Sequence, residues 1–246
     1  MANKTCLILG SNSDLGEAIA YKFAKEGFDI QLAARKITDY QQRLSADISI
    51  KNDVKTFNLL FDGNEFENHM EFVKSLPMFP DVVVSVFGYL GDHNKALGNF
   101  NESLAIINNN YVAHVSILNI LANIMEDDHA GTIIGISSVA GERGRGNNYI
   151  YGSAKAGFTA YLSGLRNRLS KSHVNIITVI PGYIDTKMIS HLKTPSILTA
   201  QPSTVAKTIY IAYKRKKEKI YVLGIWKMIT CIIKLIPEKI FKKLSL

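Results

Sequence analysis

The sequence predicts an α/β fold: one domain built on a doubly wound parallel sheet of about seven strands, with helices on both faces. Three observations carry this. Short apolar runs of strand type alternate with helical segments along the chain, the order expected of a parallel sheet. A glycine-bearing turn joins the first strand-like run directly to the first helical one. The 246 residues, 47% hydrophobic and 20% charged, suit a single globular domain with a substantial core, and no repeat, low-complexity tract or linker divides them.

Residues 5–9 (TCLIL) read as a buried strand, followed by Gly10-Ser11-Asn12-Ser13-Asp14-Leu15-Gly16 and a helical pattern over 17–26. A strand turning through glycines into a helix lets backbone approach a pyrophosphate and aims helix amides at it. This places Gly10, Ser11, Ser13, Asp14, Leu15 and Gly16 in a dinucleotide site and makes the fold Rossmann-like. The second strand, 29–34, ends at Arg35 and Lys36. A basic residue there suits the 2′-phosphate of NADP, whereas an acid suits the ribose diol of NAD, so NADP(H) is favoured over NAD(H). A helical segment with little periodicity (37–50) precedes a third strand over 54–61, ending at Asp62, and a fourth over 81–86, closing on Phe87-Gly88. A long helix is expected over 102–125, with Asn110 inside it, where an asparagine is ordinarily solvent-facing or locally bonded. A fifth strand, 132–136, leads to Ser138; a helix runs over 151–169; a sixth strand, 174–180, ends in Pro181-Gly182; a loop and a short helix precede a seventh strand over 220–223.

The chemistry sits in the stretch ISSVAGERGRGNNYIYGSAKAG, which holds Ser138, Tyr151 and Lys155. Tyr151 and Lys155 are four apart, so a helix stacks them on one face. A phenol with a pKa of about 10 exchanges protons poorly at neutral pH. A unit charge about 4 Å away is worth on the order of 4 kcal/mol at an effective dielectric of about 20. Lys155 is therefore expected to bring the Tyr151 phenol down, with Ser138 holding a carbonyl or alcohol oxygen against it. Tyr149 has no such partner, because Ser153 stands four residues on.

The order of these motifs resembles the short-chain dehydrogenase/reductase family along nearly the whole chain. The family's glycine motif falls on residues 9–16, with Leu9 in place of its threonine and Asp14 in place of its middle glycine. Its Asn-Asn-Ala-Gly segment is replaced by Ser85-Val86-Phe87-Gly88. The resemblance implies an Asn-Ser-Tyr-Lys catalytic set on Asn110, Ser138, Tyr151 and Lys155. It further implies that Asn110 holds a water linking Lys155 to solvent, that Asp62 contacts adenine, that Gly88 lines the cofactor, and that Pro181, Gly182, Ile184 and Thr186 border the nicotinamide. Family members are commonly homodimers or homotetramers. VFGYLGD, the Ser137–Gly157 stretch and the ending KLIPEKIFKKLSL are similar to the decaprenylphosphoryl 2-ketoribose reductases, which implies a keto-sugar on a polyprenyl phosphate.

The expected function is thus NADP(H)-dependent reduction of a ketone to a secondary alcohol. A 3-oxoacyl thioester substrate is the runner-up, and a non-catalytic NADP-binding scaffold the reading from another class. The net charge of +8 is concentrated: residues 205–246 carry eleven Lys/Arg against two Asp/Glu, the rest eighteen against nineteen. The basic tail is interleaved with aliphatic residues rather than a stacking platform, which argues against nucleic acid. Residues 224–246 are set apart from the catalytic domain (1–223) as a basic amphipathic segment. Trp226, Ile229, Ile233 and Ile236 recur at helical spacing before Pro237, while Ile240, Phe241 and Leu244 continue the series. Either this segment packs on the protein or it lies on the inner face of a membrane with its lysines toward anionic headgroups. The N-terminus carries no signal-peptide pattern, which points to the cytoplasm. No run of eighteen apolar residues suggests a membrane span, and Cys6 and Cys231 lack metal-ligand spacing, so no metal is expected.

Overall fold

The computed structural model describes residues 3–190 and 192–244. Among the described residues nine strands occur in chain order: β1 (Thr5–Leu9), β2 (Asp29–Ala34), β3 (Thr56–Leu60), β4 (Val82–Ser85), β5 (Thr132–Ile136), β6 (Asn175–Ile180), β7 (Tyr183–Ile184), β8 (Thr199–Ala200) and β9 (Lys219–Tyr221). Seven form one sheet in the order β3-β2-β1-β4-β5-β6-β9, every pairing parallel. This is the predicted doubly wound sheet in a single domain. The order reverses between β1 and β4, and such a switch point opens a crevice at the carboxyl ends of the strands.

The helices are α1 (Asp14–Lys25), α2 (Asp39–Asn52), α3 (His69–Lys74), α4 (His93–Gly98), α5 (Phe100–Ile107), α6 (Ala113–Asp127), α7 (Tyr149–Arg168), α8 (Pro202–Lys214), α9 (Gly224–Leu235) and α10 (Glu238–Phe241). One core cluster joins α1, α2 and α8 to one face of the sheet, and a second joins α3, α6 and α7 to the other. Residues 100–127 are one continuous helical segment, interrupted by a π-helical turn at Asn108–Val112. By length and composition this segment could cross a membrane, although polar residues interrupt its apolar runs. Its Ile117, Leu118, Leu121, Ala122 and Met125 are wholly buried in the second core cluster, the place of a core helix.

Element ends shift by a residue or two. The third strand starts at Thr56 rather than residue 54, because Asp53 adopts the left-handed conformation that ends α2 and the chain must turn before pairing. Two elements with no sequence signal, α3 and α4, span six residues each, too short for a helical period to show. The segment between β7 and β8 is clipped at its base by parallel pairing of Tyr183 with Thr199 and of Ile184 with Ala200.

The C-terminal segment turns where expected: α9 ends at Leu235, Ile236 is extended, and α10 follows Pro237. Trp226, Thr230 and Phe241 are buried against the body, while Met228, Ile232 and Leu235 face outward. The predicted segment also includes residues 245 and 246, which lie outside the described residues.

Candidate active site

Strand β5 delivers Ser138 to the carboxyl edge of the sheet, where its Oγ accepts from Ala140 N at 3.1 Å and caps a short 3₁₀ turn, Val139–Gly141. Helix α7 packs closely on that turn. A Cβ on Gly152 would stand 2.7 Å from Ala140 O, so only glycine permits the approach. Ser137 fastens the two elements, its Oγ donating to Lys155 O at 3.1 Å and sharing a 2.6 Å bond with Thr159 Oγ1. These constraints set Tyr151 and Lys155 beside Ser138, and all three line one cavity of about 360 Å³.

The electrostatics differ from the sequence expectation. Lys155 is 4% exposed, and its Nζ donates to Ile136 O at 3.0 Å while standing 5.9 Å from the centre of the Tyr151 ring. Burial lowers the Lys155 ammonium to about 7. Burial also pushes the Tyr151 phenol up to about 12, with the Ser138 hydroxyl pulling the other way. The lysine does not bring the phenol down: burial outweighs the Ser138 hydrogen bond at Tyr151, and removal from water favours the neutral form of each group.

Of the two alternatives open for Asn110, the structure shows local bonding and not a solvent-facing side chain. Asn110 is fully buried in the π-helical turn, its Nδ2 donating to Tyr89 O at 2.5 Å and Ile106 O at 2.8 Å, and its Oδ1 accepting from Tyr89 N at 3.3 Å. The extra residue of a π turn re-aims a side chain inward, a common device at functional sites. Both amide hydrogens hold neighbouring backbone, so the side chain anchors the 88–89 segment beside Lys155. A Cβ on Gly88 would lie 2.8 Å from Asn110 Oδ1 and 3.6 Å from Lys155 Nζ.

The cavity continues into a second cleft of about 640 Å³, with Asn12, Ser13, Val86, Phe87, Gly88 and Met188 lining both. Gly10, Arg35 and Asp62 border this second cleft. Asp14, Leu15, Pro181, Gly182, Ile184 and Thr186 border the first. Gly10 has a φ of +100°, and a Cβ there would meet Phe87 N at 2.7 Å. Ser13 caps α1 by accepting from Gly16 N at 3.0 Å.

Two residues of the predicted loop lie outside both linings. Ser11 is buried, with its N and Oγ both donating to Ala33 O, and Gly16 packs where a Cβ would stand 2.5 Å from Gly10 O. Both shape the turn from behind, a distinction that spacing cannot reveal. The acid at position 14 is accounted for: its Oδ2 accepts from Lys187 N at 2.7 Å, and its Oδ1 lies 3.6 Å from Lys187 Nζ. The loop carboxylate thus ties down the segment between β7 and β8. A glycine-shaped cradle at a capped helix N-terminus, opening on one side to Arg35 and on the other to Tyr151, fits a dinucleotide.

A sequence profile of the short chain dehydrogenase family matches residues 4–196. The chain belongs to the short chain dehydrogenase family. It is therefore an oxidoreductase, and among relatives in this family it is 30% identical over 241 residues to an uncharacterized oxidoreductase of Mycobacterium tuberculosis, covering 97% of this chain and 96% of that one. It is 25% identical over 206 residues to the 3-oxoacyl-[acyl-carrier-protein] reductase FabG of Chlamydia trachomatis, covering 78% of each. The solved short-chain dehydrogenase from Sphingobium yanoikuyae in complex with NADPH shares the fold, with a TM-score of 0.80 at 19% identity, covering 96% of this chain and 97% of that one.

Several short chain dehydrogenase site features here carry no sequence signal. His114 is wholly buried between the rings of Phe87 and Phe158, with centroids 4.0 and 4.2 Å away, and bonds Ser85 Oγ at 2.7 Å. Burial holds its imidazole well below the usual range, so it is a neutral spacer that fixes Phe87 at the junction of the two clefts. Trp226 reaches the cavity from α9, and Arg145 and Asn148 reach it from the turn before α7.

Proposed function

We propose that this short chain dehydrogenase reduces a ketone to a secondary alcohol with NADPH. The observation that carries the reading is the convergence of Ser138, Tyr151, Lys155 and Asn110 on one cavity that is continuous with a dinucleotide-shaped cleft. When bound, the nicotinamide supplies the hydride. Gly10, Ser13, Leu15, Gly88, Pro181, Gly182, Ile184 and Thr186 hold the cofactor, and Asp62 takes its adenine side. The Ser138 hydroxyl holds the substrate oxygen. Tyr151, protonated at neutral pH, gives its proton to that oxygen as negative charge develops there. Lys155 gains and loses a proton near neutral pH and serves the phenol after each turnover. Asn110 keeps the 88–89 backbone in place next to Lys155.

NADPH is preferred to NADH on the strength of Arg35 and Lys36, exposed at the end of β2 and lining the second cleft. Neither joins an ion pair among the described residues. A 2′-phosphate would give each a charge-assisted bond.

For the substrate we favour a keto-sugar carried on a polyprenyl phosphate. Resemblance supports this, as does the apolar outer wall of the cavity, formed by Leu90, Ile189, Leu192 and Trp226. A 3-oxoacyl thioester is the second reading, favoured by the relative named as a 3-oxoacyl-[acyl-carrier-protein] reductase. A non-catalytic scaffold accounts poorly for four reactive side chains kept on one cavity. The exposed α9 face would rest on an anionic membrane surface, and the exposed Phe100 and Leu104 of α5 would take part in a homodimer or homotetramer.

Replacing Tyr151 with Phe tests the reaction. Turnover of any accepted ketone is expected to fall by about 10² to 10⁴, while NADPH binding, read by nucleotide fluorescence, changes little. Turnover persisting in the Phe variant would remove Tyr151 as the acid.

A further inference from the structure

The turn between β5 and α7 contains two arginines that differ in how they are partnered. Arg143 is fully engaged: its Nη1 donates to Ile233 O and Ile236 O, its Nη2 pairs with Glu238, and its guanidinium lies 3.7 Å from the Phe241 ring centre. Arg145, two residues on, lines the cavity that holds Ser138 and Tyr151. Its Nε is buried without a hydrogen-bond partner, and Nη2 reaches Val139 O at only 3.4 Å. No Asp or Glu pairs with it among the described residues. Asn148, on the same wall, has a buried Oδ1 without a donor and makes no capping bond to α7.

A guanidinium is always charged and presents a fork of donors matched to phosphate or carboxylate. Leaving one of its N–H groups buried and unpaired costs free energy that a ligand can recover. An unpaired amide oxygen beside it calls for a hydroxyl or N–H donor. We propose that Arg145 and Asn148 form an anion-reading subsite of the substrate cavity. Arg145 binds a phosphate group, Asn148 accepts from a hydroxyl next to it, and together they select phosphate-bearing hydroxyketones over neutral ketones. This rests on the reductase reading only in assigning the cavity to substrate. The same phosphate chemistry occurs on a free sugar phosphate and on a lipid-linked one.

The test is a binding measurement, so it stands whether or not a reducible substrate is in hand. Ribose 5-phosphate is titrated against ribose, and geranyl phosphate against geraniol, into NADPH-saturated protein by calorimetry. The first pair reports a phosphate on the sugar, the second a phosphate on an isoprenyl chain. Wild type is expected to bind the phosphate member of at least one pair ten- to a hundredfold more tightly. Arg145→Met should abolish that preference, and Arg145→Lys should keep part of it. NADPH fluorescence reports that each variant is folded, and Arg145→Gln replaces Met if that variant fails to fold. No phosphate preference in either pair, or a preference surviving in the folded Met or Gln variant, overturns the proposal. Failure of the reductase reading shows separately, as wild-type protein that oxidises no NADPH with any of a panel of ketones.

Discussion

At the scale of single residues, the two groups most plainly marked in the sequence behave differently once buried. The Tyr-x-x-x-Lys spacing was legible because helix periodicity is local, whereas the protonation behaviour depends on what surrounds the pair. The Lys155 pKa falls from its ordinary value of 10.5 to about 7. The unfolded chain therefore binds more protons than the folded one between those pH values. The burial penalty is then full below about pH 7 and fades as pH rises toward 10.5. Lys155→Met is expected to raise the melting temperature of the cofactor-free protein at pH 7, net of the donor lost by Ile136 O, with the gain shrinking by pH 10. A variant that melts lower than wild type at pH 7 would show that the ammonium is not strained there. At the far end of the cleft, Arg35→Asp exchanges a charge-assisted bond for repulsion. Bonds of that kind are worth about 1.5–3 kcal/mol, so NADPH should weaken at least tenfold while NADH changes less. Equal wild-type affinities for the two nucleotides, measured by fluorescence titration, would deny Arg35 this role.

At the scale of elements, α9 and α10 do more than pack. Trp226 stands against Gly182, where a Cβ would meet the indole at 1.9 Å, and its Nε1 donates to Leu198 O at 3.0 Å. The C-terminal helix thereby joins the Pro181-Gly182 turn to the segment between β7 and β8 and walls the cavity. Arg143 holds its far end. Glu142 adds ion pairs to Lys219 at 3.1 Å and to Lys234. Burial pushes the Glu142 carboxyl up, but its bonds to Lys234 and Lys219 outweigh this and leave it below the usual range. That contribution is present above the ordinary carboxylate pKa of about 4.3 and is lost as pH falls through the lower folded value. Arg143→Ala removes two bonds to carbonyl oxygens and the stacking on Phe241, a loss of about 3 kcal/mol. The variant should show early protease cleavage after residue 223 and, since Trp226 is the only tryptophan, a red-shifted emission. Unchanged emission and cleavage would place the anchoring elsewhere.

At the scale of the whole molecule, the uneven charge acquires a geometry. Part of the basic surplus lies on the C-terminal segment, where Lys227, Lys239, Lys242 and Lys243 are exposed along with Met228, Ile232, Leu235 and Ile240. Each lysine near an anionic surface is worth about 1 kcal/mol, so a peripheral membrane contact predicts salt-sensitive binding. Sedimentation with vesicles of anionic lipid should carry the full chain down at low salt and release it at high salt, and deletion of residues 225–246 should abolish it. Full-length protein that stays in solution at low salt would leave the segment with a packing role alone.

The sequence by itself determined the strand-helix alternation, the glycine turn at the first crossover and the Ser138, Tyr151 and Lys155 set. Each of these is written in residues close together along the chain, where periodicity and turn chemistry act. It missed α3 and α4, which are too short for a period, and it left Asn110 open between a solvent-facing and a locally bonded side chain, because only the π turn aims that side chain inward. The tie from Asp14 to Lys187, the unpaired guanidinium of Arg145 in the cavity and the Trp226 wall were decided by tertiary structure. Each joins groups from separate elements, and burial acts on all of them at once. The protonation of Tyr151 and Lys155 belongs with these, since desolvation depends on every neighbour that excludes water and not on the four residues between them.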